Sequence, residues 1–140
     1  MNALGPKIIV GLYLRGKDLD PELITRSTGV QPSKSQRRGD KSFTSTGHEV
    51  VKKIGVWAIV IELESHSLEE HLSQLADSLP SGGRYSGIAG VEEAYIDIFV
   101  ALASSPRGEA SCDFEIGPSS IEMLSQLGLP VRLSLTAGPE

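Results

Sequence analysis

Residues 56–63 read VWAIVIEL, an almost uninterrupted run of apolar and β-branched residues. A run of this length and composition is typical of a strand inside a sheet. It predicts that an interior strand organises the fold and that Trp57 anchors the core. Aromatic residues make up only 5% of the chain, so the rest of that core must be mostly aliphatic.

Other strands are predicted on either side of this run. Apolar residues alternate with other residues over 7–14, 94–103 and 131–135, as in strands with one packed face. Residues 111–116 are a candidate for a further short strand, and a short strand or hairpin is a candidate near residues 50–54.

Three helices are predicted from residues that are typical of helix N-termini. Asp20 followed by Pro21 is a good N-cap and first position for a short helix over residues 21–28. Capping boxes that begin at Ser67 and Ser119 open the other two helices. The predicted order is β-α-β-α-β-(β)-α-β, an α+β fold with a single mixed or mostly antiparallel sheet and about three helices on one face.

At 140 residues the chain fits one domain, 1–140, with a long basic loop at about residues 30–55. The lone cysteine, Cys112, excludes an internal disulfide and suits a reducing compartment. No signal peptide or membrane-length apolar run is apparent. We therefore expect a cytoplasmic protein without a membrane association.

Charge is unevenly distributed along the chain. Residues 31–55 hold six basic and two acidic residues, a net +4, whereas residues 62–97 hold eight acidic residues and one basic residue, a net −7. Such asymmetry influences the choice of partner rather than the fold. The acidic segment predicts a partner-binding surface with two aromatic anchors, formed by Glu62, Glu64, Glu69, Glu70, Glu92, Glu93, Tyr85 and Tyr95.

The motifs of catalysis and cofactor binding are missing from the sequence. No nucleophile elbow occurs, and His48, His66 and His71 lack the spacing of a metal site, so we expect no catalytic residue, metal or cofactor. A basic surface with stacking aromatics is also lacking, so nucleic acid is not expected as a partner. The segment 38–42, RGDKS, has only a superficial likeness to a phosphate loop. An alternative anion site would use Lys34, Arg37, Arg38 and Lys41.

A family resemblance adds to these observations. The segment 19–25, LDPELIT, is followed by Thr28-Gly29, Pro32 and the tripeptide RGD at 38–40. This pattern resembles the opening of a bacterial family of domains of unknown function, DUF4279, and the similarity extends over most of the chain. The resemblance implies no catalytic residues. Small bacterial proteins of this appearance are in some cases encoded beside toxins as their immunity proteins.

These observations lead to a hypothesis and two rivals. The leading hypothesis is a non-catalytic, protein-binding module, an immunity protein that neutralises a cognate toxin by occlusion, the toxin being a contact-dependent growth inhibition or polymorphic toxin such as a nuclease. One rival is a small phosphate- or nucleotide-binding protein, or an enzyme, that uses residues 34–41. The other is a subunit of a homo-oligomer that pairs through an exposed sheet edge.

Overall fold

The fold is described from a computed structural model, which covers residues 5–80, 84–104, 107–108 and 111–138. The strands are β1 (Lys7–Gly16), β2 (Lys34–Gln36), β3 (Lys41–Phe43), β4 (Glu49–Val51), β5 (Gly55–Ile61), β6 (Glu93–Ala103) and β7 (Val131–Gly138). The helices are α1 (Pro21–Thr28), α2 (Leu68–Asp77) and α3 (Pro118–Leu127).

Five strands form the main sheet in the order β2-β5-β1-β6-β7. The pairs β2/β5, β5/β1 and β1/β6 are antiparallel, whereas β6/β7 is parallel. The parallel pair follows from the connection through α3, which returns the chain to the same end of the sheet. The predicted α+β class with a mixed, mostly antiparallel sheet is confirmed.

The core lies between the sheet and the helices. Alternate residues of β1, from Ile8 to Leu14, belong to one buried cluster with Ile24 of α1 and Leu72 of α2. Trp57 is fully buried in this cluster, and its Nε1–H donates to Thr25 Oγ1 at 3.0 Å. The three helices therefore cover one face of the sheet. The opposite face is called the open face below.

The N-caps of the three helices test the helix starts that are predicted from local sequence. Asp20 accepts hydrogen bonds from the N–H groups of Glu22 and Leu23 at the start of α1, and Ser67 Oγ accepts from Glu70 N–H at the start of α2. Both predicted starts are confirmed. The predicted box at Ser119 is wrong, because Gly117 is the N-cap of α3 and Pro118 begins the helix.

Two other expectations need correction. Residues 111–116 form no strand, and their apolar members Phe114 and Ile116 instead pack on the core from an irregular segment. The predicted long loop at 30–55 is interrupted by β2, which joins the main sheet, and by a separate hairpin of β3 and β4. The hairpin agrees with the candidate near residues 50–54.

Candidate binding surfaces

A row of aromatic and cationic side chains crosses the open face. Tyr13 of β1 and Tyr95 of β6 are direct register partners, and their rings stack at a centroid distance of 5.6 Å and an angle of 9°. Lys34 Nζ lies 5.2 Å from the Tyr13 ring centroid, and Arg132 Cζ lies 3.7 Å from that of Tyr95. These four side chains, here called the aromatic row, connect β2, β1, β6 and β7.

Small residues make room for the row. Ala58 of β5 stands between Lys34 and Tyr13 in the register. Gly11 lies under the Tyr13 ring, since a Cβ there would approach Tyr13 Cε1 to 2.7 Å and the Ile59 carbonyl oxygen to 3.2 Å. The small methyl group of Ala58 and the absence of a side chain at Gly11 leave space for the Tyr13 ring on this face of the sheet.

Charges around the row are paired. Glu93 accepts a hydrogen bond from Arg132 at 2.8 Å and lies 3.8 Å from Arg15. This hydrogen bond is the main cause of the raised pKa of Arg132. Burial, and then the nearby charge of Asp97, raise the pKa of Tyr13 above its usual 10.0. The row is thus a stacked element of the sheet, held at one end by the Arg132–Glu93 pair, in which Tyr13 is half-buried.

The predicted acidic surface is divided between two ends of the sheet. Glu62 follows β5 and pairs with Lys7 at 3.2 Å, whereas Glu93 begins β6 and pairs with Arg15. Lys7 and Arg15 are eight residues apart on β1, which places the two groups roughly 26 Å apart. Glu64 and Glu70 belong to the first end and are exposed, and Glu92 belongs to the second. A single continuous acidic face is therefore not formed.

Two of the predicted contact residues have structural roles. Glu69 accepts hydrogen bonds from Gly117 N–H at 2.7 Å and Ser120 Oγ at 2.8 Å, so it ties α2 to the start of α3. Tyr85 is 1% exposed and stacks on Trp57. The prediction of Tyr85 as a surface anchor is wrong. Tyr95, at 8% exposure, presents little more surface to a partner because Tyr13 and Arg132 cover it.

The basic residues of the alternative anion site do not converge. Arg37 pairs with Asp20 and Glu22, and Arg38 pairs with Asp18 at 3.0 Å. Lys34 lies over Tyr13, and Lys41 stands on the hairpin. Asp40 closes its own turn, because its carboxylate accepts from Arg37 N–H at 2.8 Å. The RGD segment is thus part of a structural turn, and both Arg37 and Arg38 already have carboxylate partners.

The histidines and acids bring no metal site together within the described ranges. His71 is fully buried, accepting from Leu63 N–H at Nε2 and contacting the Ser67 carbonyl through Nδ1. These hydrogen bonds link the segment between β5 and α2 to the first turn of the helix. Over the same ranges, no helix is both long and apolar enough to cross a bilayer.

Sequence reasoning missed the exposed apolar surface. On the hairpin of β3 and β4, Phe43 is 69% and Val51 48% exposed, and the register places both on one side with Lys41 and Glu49. On β7, Val131, Leu133 and Leu135 are all exposed, although their alternation predicts a packed face. The strand pattern is visible in the sequence, but which strand remains uncovered is not.

Comparison with known protein families gives one match. The model of the family described as "Domain of unknown function (DUF4279)" matches residues 6–138. Neither a curated protein nor a solved structure matches the chain.

Proposed function

The chain belongs to the DUF4279 family, and from this premise we propose that it is a non-catalytic protein-binding module that occludes a partner protein. We further propose that the partner is a cognate toxin and the chain its immunity protein. Support for the toxin comes from the family resemblance alone. Support for protein binding comes from the exposed apolar surface.

The observation that carries the proposal is the hairpin of β3 and β4. Phe43 is exposed to 69%, and Val51 lies diagonally across from it on the same side of the hairpin. Aromatic residues, including phenylalanine, are enriched in protein interfaces relative to the rest of the surface. The hairpin pairs only with itself among the described strands, so it can enter a cleft without disturbing the main sheet.

The charged residues on and beside the hairpin indicate what kind of partner surface would fit it. Lys41, Lys52 and Lys53 lie on or just beyond the hairpin, and Glu49 is the acidic residue between them. A partner pocket with an apolar floor and an acidic rim would complement this charge. Such a partner differs from a nuclease with a basic cleft. To fill a basic cleft the chain would need one continuous acidic face, and its acidic residues instead lie at two ends of the sheet.

The test is co-purification with the product of the neighbouring upstream gene. Phe43→Ala is expected to weaken the complex at least about tenfold, as for a central aromatic contact. The melting temperature should be unchanged, because the side chain is already exposed. Val50→Ala is the matched control, since Val50 lies on the other side of the same hairpin.

Two results would count against the proposal. If the neighbouring product forms no complex and the chain gives growing cells no protection, the immunity role fails. If a complex forms with equal affinity for Phe43→Ala and Val50→Ala, the hairpin is not its contact surface.

A further inference from the structure

The two outer strands of the main sheet differ greatly. β2 is three residues long and begins with Lys34, features that discourage further pairing. β7 is eight residues long and pairs with β6 over its whole length, but no other described strand borders it. It thus offers a long, uninterrupted edge to another strand.

The free backbone groups of this edge can be assigned. Ile96 N–H donates to the Pro130 carbonyl at 2.8 Å, and Ser104 N–H donates to that of Gly138 at 2.9 Å. Backbone groups alternate in direction along a strand, so the even-numbered residues of β7 face β6. The N–H and C=O groups of Val131, Leu133 and Leu135 therefore point outward.

The same three residues carry the exposed apolar side chains. Val131, Leu133 and Leu135 are 46%, 62% and 61% exposed. Their register partners in β6 are Ile96, Ile98 and Val100, which belong to the core. The three side chains of β7 therefore stand on the helix side of the sheet. Helix α3 packs mainly on α2, so the helix layer covers these three side chains only in part. Ile121 of α3 is also 56% exposed.

Nothing in β7 opposes pairing. Its only charged residue, Arg132, stands on the open face, where Tyr95 and Glu93 hold it. Proteins usually protect long edges with lysines, prolines or bulges, and Val131–Gly138 contains no lysine or proline. The outward-pointing residues Val131, Leu133 and Leu135 carry no charge, so this edge fits an equally apolar partner strand.

We infer that two copies of the chain associate by antiparallel pairing of β7 with β7 about a two-fold axis at Leu133. In this register Leu133 faces Leu133 of the second copy, and Val131 faces Leu135. Each of these facing pairs exchanges two N–H···O bonds through the groups that point outward. The apolar side chains of both copies then form one continuous row. The strand is therefore complementary to itself in hydrogen bonding and in side-chain character, the condition for a two-fold interface.

The mass of the chain in solution tests the inference first. Light scattering during size exclusion should give about 30 kDa, twice the 14.9 kDa of one chain. Leu133→Lys should weaken association at least about tenfold, because it places two like charges at the axis. Phe43→Lys is the matched control, since it makes the same apolar-to-lysine change at an exposed residue that lies outside the main sheet.

Disulfide formation tests the register. In a Cys112→Ser background, Leu133→Cys should oxidise to a covalent dimer, since facing residues of this kind have Cα atoms about 5.5 Å apart. Leu135→Cys should not, because Leu135 of the second copy is four residues further along, roughly 13 Å away.

The inference does not rest on the proposed function, and Phe43→Ala should leave the dimer intact. A chain that is monomeric at about 100 μM, or a dimer that survives Leu133→Lys and is not linked through Leu133→Cys, would overturn it. If the wild-type chain is monomeric and Leu133→Lys abolishes capture of a toxin, the edge binds another protein instead and the inference is wrong.

Discussion

At the scale of single residues, the aromatic pair in the core contains one satisfied and one unsatisfied polar group. The Trp57 indole N–H has Thr25 as its acceptor, whereas the buried Tyr85 hydroxyl has no hydrogen-bond partner among the described residues. A buried polar group without a partner costs about 1–3 kcal/mol. The two rings therefore make opposite contributions to stability through their polar atoms.

Tyr85→Phe is expected to leave the free energy of unfolding unchanged or to raise it by about 1 kcal/mol, because it removes an unpaired hydroxyl. Thr25→Val should lower it by about 1–2 kcal/mol, because the Trp57 N–H loses its acceptor while the side-chain volume is kept. Urea denaturation of both variants measures the difference. A large loss of stability in Tyr85→Phe would show that the hydroxyl has a partner.

At the scale of elements, local signals succeed where the chain supplies its own cap. Asp20 and Ser67 cap α1 and α2 from adjacent residues, so their patterns can be read from the sequence. The start of α3 depends on Glu69, which is 48 residues from Gly117. No local pattern encodes that contact, and this explains why the box at Ser119 is misleading.

Glu69→Ala is expected to lower the free energy of unfolding by about 2–3 kcal/mol, since it removes a carboxylate that accepts two partly buried hydrogen bonds. Glu70→Ala, one position along the same helix turn, should change it by less than about 0.5 kcal/mol because Glu70 is exposed. Hydrogen exchange at Gly117 should become faster only in Glu69→Ala. Equal effects of the two substitutions would contradict the role of Glu69.

At the scale of the whole molecule, strand direction decides where charges meet. β5 and β6 are both antiparallel to β1 and hence parallel to each other. Glu62 follows one and Glu93 begins the other, so residues in one acidic segment of sequence come to opposite ends of the sheet. The alternation of apolar residues predicts the strands, but it does not predict their order in the sheet. That order places β7 at an edge and the acidic residues at opposite ends of the sheet.

The free energy of unfolding should decrease at alkaline pH because of the ionisation of Tyr13 and Tyr85. Burial is the main cause of the raised pKa of both Tyr13 and Tyr85, whose ordinary value is 10.0. Above pH 10 the unfolded chain releases these protons while the folded chain retains them. The folded state then binds more protons, and stability decreases as pH rises until both groups ionise in the folded protein. Well below pH 10 both states are protonated and this contribution is constant.

Melting temperatures from pH 8 to pH 11 measure this loss, and absorbance at 295 nm follows the ionisation of the tyrosines in the folded protein. The double variant Tyr13→Phe/Tyr85→Phe should lose less stability between pH 10 and pH 11 than the wild type does, whatever its stability at pH 8. Tyr13→Phe alone should retain the part due to Tyr85, because that ring lies in the core on the other side of the sheet. An identical alkaline loss in the wild type and the double variant would show that these two hydroxyls do not couple folding to pH.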